Sequence, residues 1–126
     1  MIMIIGFMIM IIGKLGRELG GPSMIFNSPK VQKYILSGAR FVATIRKSGY
    51  YHIGKWVVIR VGDKWFDGQV IAVEPVTPLT LRHYVRYSGF GSIEEWITEA
   101  MKLHKGEIYP DKFMIIVVKV ICPWRS

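Results

Sequence analysis

The sequence predicts a small α+β domain, in which a mixed and partly closed β-barrel carries two main helices packed on its openings. Two amphipathic helical segments and four β-rich segments follow one another in the order helix, three strands, helix, strand, and most connections are non-helical. The chain has 126 residues, of which 51% are hydrophobic, so its length and apolar content fit one folded domain with one core.

The first predicted helix covers about residues 29–37. Ser28 can cap it, Pro29 suits its first position, and Gly38 ends it. Its apolar residues recur at helical spacing and are Val31, Tyr34 and Ile35. A strand over residues 41–46 follows directly, because its side chains alternate with the period of a half-buried strand.

The next two strands are predicted to form a hairpin. They cover residues 56–61 and 69–76, and both are rich in β-branched side chains. Two turn signals, Gly62-Asp63 and Asp67-Gly68, lie between these strands, and Pro75 helps to end the second one.

Residues 79–91 are predicted to form a looser, irregular stretch. A capped helix follows, because Ser92 and Glu95 form a Ser-x-x-Glu capping box before an apolar face of two turns, and Gly106 ends this helix. The last predicted strand, residues 113–121, is apolar nearly throughout, which is typical of a central strand buried on both faces.

The composition favours an anionic partner in a reducing compartment. Seventeen Lys and Arg against nine Asp and Glu give a net charge of +8 and a pI of about 9.8, which favours phosphate-bearing ligands, although a solubility surface explains the same charge. Cys122 is the only cysteine, which excludes an intramolecular disulfide and fits a cytoplasmic location. The three histidines lack metal-ligand spacing, so we expect no metal site and no cofactor.

The N-terminal segment differs in character from the rest of the chain. Residues 1–12 form an apolar run that is too short to span a bilayer and lacks the basic start of a signal peptide, so we expect no membrane anchor. Because a Gly-Gly-Pro-Ser sequence precedes a further methionine, Met24, we expect residues 1–23 to be an apolar low-complexity extension upstream of the natural start, and residues 24–126 to be one domain. The alternative is an extra strand or apolar flap over residues 1–23 that makes homo-oligomers.

A set of motifs extends from about Lys33 to Lys119. After the first helix come Gly38-Ala39-Arg40 and then Thr44-Ile45-Arg46 entering a strand. Further along come Tyr51-His52-Ile53-Gly54-Lys55, Arg60-Val61-Gly62, Gly89-Phe90, Ser92-Ile93-Glu94-Glu95-Trp96 and Tyr109-Pro110. Together they resemble the ASCH domain family, a branch of the PUA-like barrels, whose signature is Gly-x-Lys-x-x-Thr-x-Arg after a short helix.

The resemblance implies a cleft beside the signature strand that takes RNA or a nucleoside. Some members are similar to amidohydrolases that remove the acetyl group from N4-acetylcytidine, with a lysine and a threonine of the signature acting together with a glutamate just before the second helix. Here one extra residue precedes Thr44, so the lysine position falls on Arg40 or Phe41, and the glutamate position falls near Tyr87 or Ser88. Arginine stays protonated, so Arg40 can bind a ligand but hardly act as a base.

We predict that the binding residues form a basic cleft beside the strand from Gly38 to Arg46. Arg40, Thr44 and Arg46 share one face of that strand, and a hydroxyl between guanidinium groups suits a phosphate or a base edge. The other candidates combine positive charge with aromatic rings, as single-strand binding sites do. They are Lys47, Tyr50, Tyr51, Lys64, Trp65, Arg82 and Arg86.

Each of these candidates also has a purely structural interpretation. The strand arginines could pair with Glu74 or Asp67, Tyr51 could belong to the core, and Trp65 could pack under the N-terminal segment. A solvated helix face would explain Arg82 and Arg86, and the dipole of the second helix would explain the basic residues at its end, which are Lys102, His104 and Lys105.

The leading hypothesis is therefore a non-catalytic module that binds RNA or a nucleotide. The first alternative is an amidohydrolase of the N4-acetylcytidine type, acting through Thr44 and Arg40. The second alternative is a protein-interaction module that oligomerises through residues 1–23.

Overall fold

Five strands, three α-helices and a short 3-10 helix make up the part of the chain that a computed structural model describes, residues 22–104 and 111–123. In chain order they are β1 (Ser23–Ile25), α1 (Pro29–Leu36), β2 (Phe41–Lys47), β3 (Trp56–Val61), β4 (Lys64–Pro75), α2 (Pro78–Tyr84), the 3-10 helix (Val85–Tyr87), α3 (Ile93–Leu103) and β5 (Phe113–Pro123).

The strands form one curled, half-barrel sheet in the order β1-β3-β4-β5-β2. β1 runs parallel to β3, and the other neighbouring strands are antiparallel. β4 has twelve residues and pairs with both β3 and β5, so it joins the two halves of the sheet. The predicted α+β class is confirmed. The barrel is open because β1 and β2 are the two edge strands of this sheet, and three α-helices accompany it rather than two.

The pairing of β4 with β5 is irregular at two places: between Asp67 and Gly68, which lie opposite an extra residue of β5, and between Val70 and Ala72, where Ile71 of β4 is extra. Such bulges bend a strand and increase its twist, which favours a curled sheet. The absence of a side chain at Gly68 is required by its neighbours, because a Cβ atom there would lie 2.6 Å from Cγ1 of Val118.

Replacing Gly68 with alanine is therefore expected to lower the free energy of unfolding by about 1–3 kcal/mol, since the new methyl group must displace buried side chains. Gly91→Ala is the matched control, because the nearest atom to a Cβ there is Oε2 of Glu95 at 3.8 Å. The control should change stability by less than about 0.5 kcal/mol. Urea unfolding measures both variants, and equal midpoints would contradict the close packing at Gly68.

The hairpin differs from its prediction in one respect. β4 begins at Lys64 rather than Gln69, and the turn is formed by Gly62-Asp63. The predicted turn at Asp67-Gly68 is wrong, because this pair lies inside β4 at the first bulge. Glycine is common in turns and also inside strands where another side chain approaches the backbone closely, as Val118 does at Gly68.

Both faces of the sheet carry a core. One core cluster includes Met24, Ile35, Val42, Val57, Ile59, Val70, Ile116 and Val118. The other includes Ala43, Ile45, Leu81, Trp96, Ala100, Phe113, Ile115 and Val117. Successive residues of β2 and β5 alternate between these clusters, as strand geometry requires, so the prediction that β5 is buried on both faces is confirmed.

The predicted irregular stretch at residues 79–91 is wrong for its first half, which contains α2 and the 3-10 helix. Thr77 caps α2, because its hydroxyl accepts from the backbone N–H of Thr80 while Oγ1 of Thr80 accepts from the backbone N–H of Thr77. Pro78 occupies the first turn, where it costs no hydrogen bond. The Thr-Pro-x-Thr pattern was the local signal for this helix.

The other predicted boundaries are close to the observed ones. Ser92 accepts from the backbone N–H of Glu95 at the start of α3, as predicted, while the Glu95 carboxylate pairs with Lys30 of α1. α3 ends at Leu103, and its predicted end at Gly106 lies outside the described residues. No helix of the described residues is long and apolar enough to cross a membrane.

Most of the predicted N-terminal extension, residues 1–21, lies outside the described residues. Ser23 begins β1, which pairs with β3 of the same chain, and Met24 is fully buried in the core. The extra strand of the alternative interpretation, over residues 1–23, lies almost entirely outside the described residues, because β1 shares only Ser23 with that segment. The natural start at Met24 and oligomerisation through the extension stay predictions.

Candidate functional site

A cleft of about 270 Å³ lies beside the free edge of β2. Among the described strands, β2 pairs only with β5, so its other edge is open. The start of α1 and residues along α3 face this open edge. The cleft is lined by residues 25–28 and 43–46, and by Val31, Ser88, Phe90, Trp96, Glu99, Ala100, Leu103 and His104.

Arg46 spans the opening between the two edges of the sheet. Its Nη2 donates to the backbone carbonyl of Ile25 in β1 at 3.1 Å, and its Nε donates to Oγ1 of Thr44 at 3.1 Å. The guanidinium also lies over the ring of Phe26, 5.1 Å from the centroid. These contacts hold the guanidinium in one orientation at the wall of the cleft.

The charge of Arg46 is only partly compensated. Burial lowers the pKa of its guanidinium from the usual value, and the nearby Tyr51 hydroxyl acts in the opposite direction. A guanidinium has five N–H donors, and two are used in the bonds to Thr44 and Ile25. The three that remain have no acceptor among the described residues, so Arg46 can donate to an oxygen of a ligand in the cleft.

The start of α1 adds further donors to the same wall. Ser28 is the N-cap of α1, yet its side chain makes no capping hydrogen bond. Asn27 and Ser28 both line the cleft. The first backbone N–H groups of a helix lack intrahelical acceptors and carry the positive end of the helix dipole, so this wall favours negative charge.

The opposite wall carries a carboxylate and an imidazole that the sequence analysis did not select. Glu99 lies on α3 with its side chain about one-third exposed, 3.4 Å from Nζ of Lys102. His104 caps the C-terminus of α3, and its Nε2 lies 3.3 Å from the backbone carbonyl of Ile45. Glu99 is three residues after the buried Trp96, so its helical spacing was a usable signal for this position.

An aromatic and basic surface continues from the mouth of the cleft. Burial raises the pKa of Tyr51, and the neighbouring Arg46 partly opposes that shift. The rings of Tyr50 and Tyr51 lie 5.1 Å apart in an edge-to-face arrangement. Lys55 places Nζ 4.5 Å from the centroid of the Tyr50 ring and donates to the Tyr50 carbonyl at 3.0 Å. We call Tyr50, Tyr51 and Lys55 the tyrosine surface.

The structure therefore brings part of the predicted site together. Thr44 and Arg46 line the cleft, Tyr51 and Tyr50 lie next to it, and the exposed Lys47 directly follows Arg46.

Besides Lys47, Tyr50 and Tyr51, five further predicted residues lie outside the cleft lining. Arg40 is exposed before β2, and its backbone carbonyl accepts from Val120 at 2.8 Å. The others belong to the hairpin or to the segment after β4, and they are Lys64, Trp65, Arg82 and Arg86. Their contact with a ligand stays a prediction. Arg60 lies over the Trp65 ring at 4.9 Å, and Arg86 bonds the carbonyl of His83 at 3.2 Å.

Metal ligation has no visible site in the described part of the chain. Within residues 22–104 and 111–123, no three His, Cys, Asp or Glu side chains come together as metal ligands would.

Comparison with known proteins gives one sequence relative and one structural neighbour. The chain is 52% identical over 95 residues to uncharacterized protein 105 of Sulfolobus islandicus rod-shaped virus 1, and the match covers 75% of this chain and 90% of the viral protein. The fold is similar to the crystal structure of EF3133 from Enterococcus faecalis V583, a DUF984 protein, with a TM-score of 0.52 and 13% identity over 90% of this chain and 91% of that one. At this identity the likeness concerns the fold alone, a curled half-barrel sheet with three α-helices. No known protein-family model matches the chain.

Proposed function

The chain belongs to the same family as protein 105 of Sulfolobus islandicus rod-shaped virus 1, and we propose that it binds a nucleotide, free or as one unit of single-stranded RNA, in the cleft beside β2. One observation carries the proposal. Arg46 is held at the cleft wall by Thr44, Ile25 and Phe26, and three of its donors have no acceptor among the described residues. A fixed guanidinium with free donors suits a phosphate or a base oxygen.

The rest of the cleft fits the same ligand. Phe90, Leu103 and Ile25 give it apolar surface for a base or a ribose, and the start of α1 adds donors that favour an anion. Its volume is close to the lower end of small-molecule pockets, which span roughly 300–1,000 Å³, so it suits one nucleotide. The tyrosine surface outside the mouth could stack a neighbouring base in a strand.

Replacing Arg46 with glutamine tests the proposal. A charge-assisted hydrogen bond contributes about 1.5–3 kcal/mol, so we expect the affinity for a short mixed-sequence single-stranded RNA to fall at least about tenfold, measured by fluorescence anisotropy. Isothermal calorimetry with each of the four ribonucleoside monophosphates should show the same loss.

Arg40→Gln is the matched control, because it removes the same charge from an exposed position just before the same strand, outside the cleft lining. It should change the affinity less than about threefold, as a distant surface charge does. Equal losses in the two variants would indicate diffuse attraction instead of a site at Arg46, and no binding of any probe by the unmodified protein would refute the proposal.

Hydrolysis of an acylated nucleoside is a second candidate function. The observation that favours it is Glu99, which supplies a carboxylate in the same cleft as Thr44, although the sequence offers none near Ser88. A carboxylate of this kind could move the proton that the leaving amine needs. Incubation with N4-acetylcytidine, followed by chromatography for cytidine and acetate, tests it. Turnover that is lost in both Thr44→Val and Glu99→Gln would favour the enzyme over the binding module.

A further inference from the structure

The register of β2 with β5 determines which residues of β2 direct their backbone N–H and C=O groups toward the free edge. Just beyond the two ends of the β2–β5 ladder, the N–H of Val120 donates to the carbonyl of Arg40, and the N–H of Ser48 donates to the carbonyl of Lys112, both at 2.8 Å. In an antiparallel pair, alternate residues direct both backbone groups to the partner. The even-numbered residues of β2 therefore bond to β5, and the odd-numbered residues direct their N–H and C=O groups away from it.

Two of the outward carbonyls are already used. The carbonyl of Phe41 accepts from the hydroxyl of Tyr34 at 2.8 Å, as expected for an odd-numbered residue that directs its backbone groups outward. The carbonyl of Ile45 lies 3.3 Å from Nε2 of His104. Between these two positions are the N–H and C=O of Ala43 and the N–H of Ile45. These three groups have no hydrogen-bond partner among the described residues, and both residues line the cleft.

We propose that the N–H and C=O of Ala43 recognise the Watson–Crick edge of an unpaired base in the cleft. The N–H donor and the C=O acceptor of one extended residue point the same way. They complement a planar group whose edge carries an acceptor next to a donor. Every RNA base has such a pair on its Watson–Crick edge, which proteins commonly contact when a base is unstacked. The inference rests on the proposed function, and it specifies the ligand as a nucleotide whose pairing edge is free.

The geometry favours a base over a peptide strand. Strand addition needs a continuous row of free backbone groups along an edge, but here Tyr34 and His104 occupy the positions on either side of Ala43. The free stretch therefore has room for one planar group. Arg46 lines the cleft beside it with donors for a phosphate or a base oxygen, and a neutral peptide gives no use for that charge.

Methylated nucleotides test the inference. The tighter of the guanosine and uridine monophosphates is compared with its form methylated on the Watson–Crick edge, at N1 of guanine or N3 of uracil, which leaves the base uncharged, and with a form methylated elsewhere on the base, at C8 or C5. We expect the first methyl group to weaken binding at least about tenfold and the second to change it less than about threefold, because only the first blocks the pairing edge.

The outcomes separate the inference from the function beneath it. Equal binding of the two methylated forms would overturn base recognition by Ala43 and leave nucleotide binding intact, whereas no binding of any monophosphate would overturn both. Displacement of the nucleotide by a short extended peptide of alternating valine and threonine, without a methylation effect, would assign this edge to strand addition and contradict the inference.

Ala43→Pro provides a second test from the protein side. Proline removes the backbone donor, but at this position it removes no ladder bond, because the N–H faces the cleft. We expect a folded variant, checked by circular dichroism, to lose the preference between the two methylated nucleotides. An unchanged preference would contradict the inference, and if the variant does not fold, the comparison of the methylated nucleotides decides alone.

Discussion

Replacing Trp96 with alanine is expected to lower the free energy of unfolding by about 3–5 kcal/mol, which is the usual cost of removing a buried tryptophan. Trp96 is 2% exposed and packs in the cluster that joins α3 to β2 and β5. Its side chain also forms part of the cleft wall. The variant should therefore lose both stability and ligand binding, as measured by urea unfolding and by anisotropy.

Met101→Ala is the control for this prediction. It also truncates a large apolar side chain on α3, but Met101 is 40% exposed. It should change stability by less than about 0.5 kcal/mol, as surface substitutions usually do. Similar losses in the two variants would contradict the orientation of α3, and with it the position of Glu99 at the cleft.

Raising the salt concentration from 50 to 200 mM is expected to weaken binding of single-stranded RNA about 20-fold. The proposed path of the strand passes three cations, which are Arg46 in the cleft lining, the adjacent Lys47, and Lys55 beside Tyr50. Each neutralised phosphate of a single strand contributes about 0.7 to the slope of log affinity against log salt, which gives a slope of about 2 for three contacts.

The same titration with the unphosphorylated nucleoside is the control. It should change the affinity less than about twofold, because a ligand without phosphate releases no condensed counterions. Salt-independent binding of the RNA would be incompatible with phosphate contacts at these residues.

The sequence predicted most of the fold because local signals and core pattern agree in most segments. Ser28-Pro29 begins α1, the apolar run of β5 is buried on both faces, and the Ser92 cap begins α3 as expected. The failures have local physical causes. Asp67-Gly68 has turn chemistry but lies inside β4, opposite a bulge of β5. The capping box of α2 is formed by two threonines, Thr77 and Thr80, instead of the common Ser-x-x-Glu pattern.

The candidate site was predictable only in part. Strand periodicity correctly placed Thr44 and Arg46 on one face, and both line the cleft. Strand periodicity could not show that the cleft lining begins at Ala43 and leaves Arg40 outside, since the position of the cleft along β2 depends on where α3 packs. Glu99 was missed because the helical face was defined by its apolar residues alone.

The backbone groups of Ala43 that lack a partner among the described residues could not be inferred from the sequence at all. The order of the strands in the sheet determines whether β2 is at an edge. Its register with β5 determines which residues direct their N–H and C=O groups outward. No side chain encodes either property. The proposed recognition by backbone groups is therefore the part of the account for which a structure is indispensable.

The central claim is that a nucleotide occupies the cleft beside β2. The most direct test is to titrate the ¹⁵N-labelled protein with a short single-stranded RNA and to measure the shifts of its backbone amide resonances. We expect the largest shifts at residues 43–46, in the first turn of α1 and at Tyr51, with smaller ones at Tyr50 and Lys55. Shifts confined to Arg82, Arg86 and the hairpin at Trp65, or no shifts at all, would contradict the claim.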